Sequence, residues 1–133
     1  MPVFKSKFYH YLFTVGQGVH QGAPLSMLLF IIYIDPLLVE LKQSNVGAHI
    51  ADHNITCPAF ADDVALLALT EKNLQKLVDI AFIYSNKWRF TFNAKKSYYM
   101  VFGKRPKYKS IVLGASDLKE VSDIKHLGTI LKK

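Results

Sequence analysis

The sequence predicts an α+β fold, a mainly antiparallel sheet packed on two helices, and three observations predict it. Two segments carry apolar residues at three- and four-residue spacing. Several short apolar runs are bounded by turn residues. The 133 residues are half hydrophobic, enough for one modest core and too few for a multidomain enzyme. The same composition excludes other classes. A chain this apolar is not disordered, and one cysteine builds neither a disulfide scaffold nor a cysteine-rich zinc site. Residues 1–13 carry Lys5, Lys7 and His10 without a continuous apolar run, so no signal peptide is read there. The most apolar stretch, residues 23–34, is too short to cross a bilayer.

In chain order, residues 5–15 alternate loosely, with Phe8, Tyr9, Tyr11, Phe13 and Val15, and read as a strand entering a turn. Gly16, Gly18 and Gly22 then make a flexible loop. Pro24 suits the first turn of a helix, where its missing N–H costs nothing. Leu25, Leu28, Leu29, Ile32 and Tyr33 continue that helix, Pro36 interrupts or kinks it, and residues 45–47 end it. Both faces are apolar over residues 27–34, so this helix is expected to be buried and central. Residues 55–60 and 64–69 flank Ala61-Asp62-Asp63 and read as a β-hairpin with carboxylates at its tip. Thr70 caps a second helix running to about Lys87, with Leu74, Leu77, Val78, Ala81 and Phe82 along one face. Residues 98–102, 111–113 and 124–131, the last with Gly128 inside, read as short strands.

Charge is divided unevenly. Residues 1–86 hold five lysines against seven acidic residues, whereas residues 87–133 hold twelve basic residues against three acidic ones. Lys104, Arg105, Lys107 and Lys109 are the densest part of that excess, in the run GKRPKYKS. Such a segment lies along a phosphate backbone or forms a solvated hairpin, and charge alone does not choose between them.

Asp62 and Asp63 are the sharpest chemical feature, because adjacent carboxylates in apolar surroundings must be hydrated, paired or bound to a metal. At a hairpin tip both reach a hard cation such as Mg²⁺, the kind of ion that supports phosphoryl transfer. A plain solvated turn has the same sequence. A two-metal site asks for a further carboxylate, and Asp35, Glu40, Asp52, Asp79 and Asp117 are available, none in a strand-like run ahead of the hairpin. Residues 18–26 offer Gln21 and Ser26 beside a glycine loop that can approach a nucleotide or template, or serve only as loop and cap. They are not a P-loop, which ends in Gly-Lys-Ser/Thr. His49, Asp52 and His53 read as an exposed turn rather than a zinc site. Cys57 reads as a buried small apolar residue. Trp88, Phe90 and Phe92 fit core packing better than base stacking. Asn93 fixes a turn from which Lys95 and Lys96 can approach a phosphate.

Four blocks in order carry a resemblance. Residues 18–34 (GVHQGAPLSMLLFIIYI) are similar to the block GVxQGxPLSPxLFxxYI, and residues 59–64 contain FADD. KWRFTFNAKKSYYMVF resembles an Asn–Lys block before a strand, and HLG at residues 126–128 resembles a YLG block. Together they resemble the palm region of reverse transcriptases of non-LTR (LINE-like) retrotransposons. The resemblance implies a partial polymerase palm with a catalytic-type hairpin, one partial domain over residues 1–133. It implies that Asp62 is the main metal-binding carboxylate supplied here, Asp63 supports it, and Mg²⁺ or Mn²⁺ is the cofactor. Gln21, Gly22, Pro24 and Ser26 would line the nucleotide and template side, with Lys95 or Lys96 near the triphosphate. Leu127 and Gly128 would belong to the primer grip, and Lys104, Arg105, Lys107 and Lys109 would follow nucleic-acid backbone. Its implied partners are an RNA template, a DNA primer and dNTPs, at an intracellular and nuclear site, with no membrane.

Three positions depart from the pattern: His20 stands for arginine, Met27 for proline and His126 for tyrosine. The family's first catalytic aspartate, its fingers and its thumb have no counterpart in these residues. The chain alone is therefore expected to be inactive as a polymerase, a nucleic-acid-binding remnant or a translated relic being the alternatives.

Overall fold

A computed structural model describes residues 24–103, 110–126 and 128–133. The strand expected over residues 5–15 and the glycine loop after it lie outside them. Helix α1 spans Pro24–Gln43 and helix α2 spans Glu71–Lys87. The strands are β1 (His49–Ile50), β2 (His53–Asn54), β3 (Ala59–Phe60), β4 (Asp63–Val64), β5 (Tyr98–Tyr99), β6 (Val112–Leu113), β7 (Ser116–Asp117), β8 (Lys119–Glu120), β9 (Asp123–His126) and β10 (Thr129–Lys132). Among the described residues they form five two-stranded pairs, four antiparallel and one, β5 with β8, parallel. The class is α+β.

Helix α1 starts at Pro24, as its missing donor allows, and runs through Pro36. The hydroxyl of Tyr84 donates to the carbonyl of Tyr33 at 2.8 Å, beside that proline, while the Tyr33 hydroxyl donates to the carbonyl of Trp88. These reciprocal bonds tie the two helices together. At the end of α1, Ser44 Oγ donates to the Leu41 carbonyl at 2.7 Å, and Asn45 turns left-handed at φ 54°.

The expectation that α1 is buried throughout is corrected. Ile34, Leu37 and Leu41 are buried on one stripe, but Leu25, Met27 and Ile32 are each at least 60% exposed. A helix is buried only where another element lies against it. The core gathers where Ile34, Leu37 and Leu41 meet Cys57, Leu77, Ala81 and Tyr84.

Helix α2 has the predicted cap: Thr70 Oγ1 accepts from the N–H of Asn73 at 3.2 Å, with Glu71 in the first turn and Lys87 in the last. Its buried face is Leu77, Val78, Ala81, Tyr84 and Ser85. Phe82, expected on that face, is 36% exposed and lies against Gly114, where a Cβ would come within 2.5 Å of its ring. The Gln75 side chain joins α2 to the C-terminal strands by donating to the Val112 carbonyl and accepting from the Val112 N–H, both at 2.8 Å. It thus pairs with β6 as a strand would.

Between the helices, the β3–β4 ladder extends beyond its two regular pairs. Ala65 N–H donates to the Pro58 carbonyl at 2.9 Å, and Leu67 N–H to the Thr56 carbonyl at 2.8 Å. Ala48 bridges this ladder to the β1–β2 hairpin, donating to Leu67 and accepting from Ile55. Gly47 lies on the fully buried Thr56 so closely that a Cβ there would fall 1.9 Å from Thr56 Oγ1. Only glycine fits this approach.

Candidate functional site

The hairpin expected around the paired aspartates forms, with one shift. Phe60 pairs with Asp63, so the loop is the two residues Ala61 and Asp62, and Asp63 opens the return strand instead of sitting in the turn. Ala61 adopts φ 51°, a left-handed conformation that costs an L residue about 1–2 kcal/mol. Two residues with a positive φ at the first make the tight reversal between twisted strands. Asp62 and Asp63 are both exposed, as ionised carboxylates require without a buried counter-charge.

Asp63 also lines a cleft of about 730 Å³ whose floor includes Leu37, Leu41 and Val78. Lys96 lines the same cleft from the 3₁₀ turn Ala94–Lys96. That turn is built as the sequence suggests: Asn93 Oδ1 accepts from the Lys96 N–H at 3.3 Å, and the Asn93 carbonyl accepts from Ser97 Oγ at 2.9 Å. Lys95 is exposed on the same turn and does not line the cleft. Strand β9 and Leu131 of β10 line it too, and the registered pair His126–Thr129 closes a tight turn with Gly128 at φ 78°. Gly128 is therefore at a hairpin tip. Leu127 lies outside the described residues.

The other candidates divide. Gln21, Gly22, Lys104, Arg105, Lys107 and Lys109 lie outside the described residues. Pro24 is the first residue of α1, and Ser26 is half-buried in its first turn. Of the further carboxylates, Asp79 accepts from Gln75 at 2.8 Å and Asp117 from Ser110 at 2.7 Å, both structural bonds. Asp52 is in the turn of the β1–β2 hairpin, between His49 and the exposed His53. Among the described residues, no three His, Cys, Asp or Glu side chains gather as a metal cluster. Asp62 and Asp63 are thus two hard oxygen donors, a number that fits a Mg²⁺ ion that keeps several waters.

Phe90 and Phe92 pack against the core with rings 5.1 Å apart, edge to face. Trp88 is 45% exposed, edge-on to Tyr33 at 5.8 Å, with the Lys87 ammonium 5.9 Å from its ring. Cys57 is buried, as expected, and donates weakly to the Leu38 carbonyl. Burial pushes its thiol above the ordinary range, and Lys42 pulls it partly back. The Tyr84 hydroxyl is also raised, first by burial and then by Tyr33, Glu40 and Asp35.

Three contributors escaped the sequence reading. Asp123 lines the cleft with Asp63 although far along the chain, and its only sequence signal is the alternating run DIKH. Gln75 and Tyr84 are single polar tips on a helix, and nothing in periodicity marks the backbone groups they reach.

Comparison with known proteins gives the family. The family described as reverse transcriptase (RNA-dependent DNA polymerase) matches residues 4–131. The retrovirus-related Pol polyprotein from type-2 retrotransposable element R2DM of Drosophila melanogaster is 35% identical over 126 residues, 87% of this chain and 12% of that protein. A type-1 retrotransposable element R2 polyprotein of Popillia japonica is 34% identical over 84 residues, 62% of this chain and 12% of that protein. The transposon TX1 149 kDa protein of Xenopus laevis is 32% identical over 84 residues, 62% of this chain and 6% of that protein. The chain thus matches only about an eighth or less of the length of these relatives. No solved structure matches. With an FADD hairpin, an Asn-capped lysine turn and a glycine-tipped hairpin, and with the match running from residue 4 to 131, the chain belongs to the reverse transcriptases of non-LTR retrotransposons.

Proposed function

We propose that this domain fragment supplies Asp62, and Asp63 in support, as metal-binding carboxylates for RNA-directed DNA synthesis in a longer polypeptide. One observation carries the reading: the hairpin holds both carboxylates exposed and sets Asp63 on the wall of a cleft shared with Lys96. Reverse transcriptases generally use divalent ions. Asp62 and Asp63 would hold Mg²⁺ or Mn²⁺, which when bound neutralises charge on the transferring phosphate and favours the attacking 3′-hydroxyl. The tight Ala61–Asp62 loop fixes where the carboxylates project, and the Asn93 cap fixes the lysine turn, with Lys95 or Lys96 toward the triphosphate. Gln21, Gly22, Pro24 and Ser26 are assigned to the nucleotide and template side, and Leu127 and Gly128 to the primer grip. Lys104, Arg105, Lys107 and Lys109 are assigned to nucleic-acid backbone. RNA template, DNA primer and dNTPs are the proposed partners, at a nuclear site. Among the described residues no helix is long and apolar enough to cross a membrane.

Phosphoryl transfer depends on fixed electrostatics, and among the described residues no third His, Cys, Asp or Glu side chain gathers with Asp62 and Asp63 to complete a two-metal arrangement. The 133-residue chain by itself is therefore proposed to bind Mn²⁺ weakly and not to extend a primer. Water relaxation titrated with Mn²⁺, alongside primer extension on an RNA template, tests both parts. Loss of the Mn²⁺ signal in Asp62→Ala/Asp63→Ala is the expected result, and an unchanged signal overturns the metal assignment. Extension by the chain alone, abolished by Asp62→Ala, overturns its inactivity. A nucleic-acid-binding remnant is the second reading, favoured by the concentration of positive charge in residues 87–133.

A further inference from the structure

The cleft beside Asp63 carries more positive charge than the assigned residues account for. Lys119 on β8 and Lys125 on β9 line it together with Lys96. These three lysines come from three separate elements, and both β-strand lysines are exposed. Against them stand two carboxylates in the cleft, Asp63 and Asp123, the latter already accepting from Ser122 Oγ at 2.9 Å. Lys132, registered across from Asp123, and Lys133, engaged by Glu120 at 3.3 Å, are not part of the lining.

Strand pairing explains how these lysines converge. The parallel register places Lys119 beside Tyr98, directly after the lysine turn, so β8 returns next to Lys96. Three residues after β8, β9 begins; Asp123 and Lys125 are exposed, Ile124 and His126 are half-buried, and all four line the cleft. Ile124 adds to the apolar floor with Leu131, which is registered across from it, while His126 contributes a polar ring. The result is an apolar floor with a cationic rim, in a volume within the usual range for ligand sites, about 300–1,000 Å³.

We propose that Lys119 and Lys125 are phosphate contacts of this cleft, extending the Lys96 site along a nucleotide chain. The proposal rests on the polymerase reading above and adds two residues that neither the sequence motifs nor the basic run at residues 104–109 supplies. Phosphates of a nucleic-acid strand and of a free nucleotide present the same chemistry to these ammonium groups. Lysines on three elements match a row of phosphates better than one triphosphate, so the strand is the favoured ligand.

The test measures affinity of the complete chain for a fluorescent single-stranded oligonucleotide across a salt series, with a dNTP–Mg²⁺ competitor as a second arm. Each lost phosphate contact lowers the slope of log affinity against log salt by about 0.7. Lys119→Gln/Lys125→Gln is expected to lower it by about 1.4 in total, while Lys72→Gln/Lys76→Gln, on α2 and outside the cleft lining, leaves it unchanged. Circular dichroism checks that both pairs of variants remain folded. Efficient competition by dNTP, lost in the Lys119/Lys125 variant, would keep the phosphate contacts and assign them to the nucleotide. An unchanged slope in that variant overturns the proposal, most directly if Lys104, Arg105, Lys107 and Lys109 changed to Gln abolish binding instead. Equal losses in the α2 pair overturn it too, since the effect is then only net charge. Absence of binding at any salt removes the nucleic-acid reading itself, a result distinct from an unchanged slope.

Discussion

Replacing Gln75 by leucine should loosen the C-terminal strands from α2 without opening a hole, because leucine fills nearly the same volume. Three hydrogen bonds at 2.8 Å end on the Gln75 amide, two with the backbone of Val112 and one with Asp79. Asp79 is exposed and turns to water at little cost. Val112 is half-buried, and each of its two backbone groups left unpaired costs about 1 kcal/mol, the low end for a buried group. The expected loss is about 2 kcal/mol, which at a urea slope of about 1–3 kcal/mol/M lowers the midpoint by about 1 M. Hydrogen exchange localises it: the Val112 amide, its acceptor gone, should exchange at least about 30-fold faster, while amides in the middle of α2 speed up by no more than the global factor. The consequence reaches the cleft, since Ile111, Leu113, Leu118 and Lys119 line it from the segment this amide holds. A midpoint within error of the parent chain, with Val112 exchange unaltered, would refute the idea that a side-chain amide completes the β6 edge.

Thr56→Val should stabilise the fold by about 1 kcal/mol, because Thr56 Oγ1 is fully enclosed without a hydrogen-bond partner among the described residues; a lower urea midpoint would contradict this. Thr70→Ala removes the cap bond to Asn73 and should cost about 1 kcal/mol, with thermal unfolding of the variant as the check. Burial raises the Cys57 thiol in the folded state, so folding disfavours its thiolate. Its contribution to stability is complete below the ordinary thiol range and declines as pH rises from there through the raised folded value. Cys57→Ala should therefore flatten the fall in stability measured between about pH 8 and 9.5, below the tyrosine range of about 10. An identical slope in both proteins would argue that the thiol is hydrated.

Local chemistry is readable wherever a residue acts on its own neighbours. The Thr70 cap, the Asn93 turn and the Asp62–Asp63 reversal each close within a few residues, so short-range sterics and hydrogen bonds decide them. The same holds for helix existence: periodicity in residues 71–87 predicts α2 to its last residue.

What periodicity does not contain is the identity of the surface that covers an apolar face. The run over residues 27–34 is apolar all round, yet among the described residues the buried stripe of α1 is Ile34, Leu37 and Leu41, with Phe30 and Leu38 partly buried beside it. Strand order is equally silent in one dimension, so the sequence carries no sign of the parallel pairing of β5 with β8, nor of Asp123, Lys119 and Lys125 sharing a cleft with Asp63 and Lys96. Composition and motif by themselves determined the family, the helices and the carboxylate hairpin, because these rest on covalent neighbours. Tertiary structure alone decided which charges share the cleft, because that depends on contacts between segments whose separation along the chain leaves no pattern in the sequence.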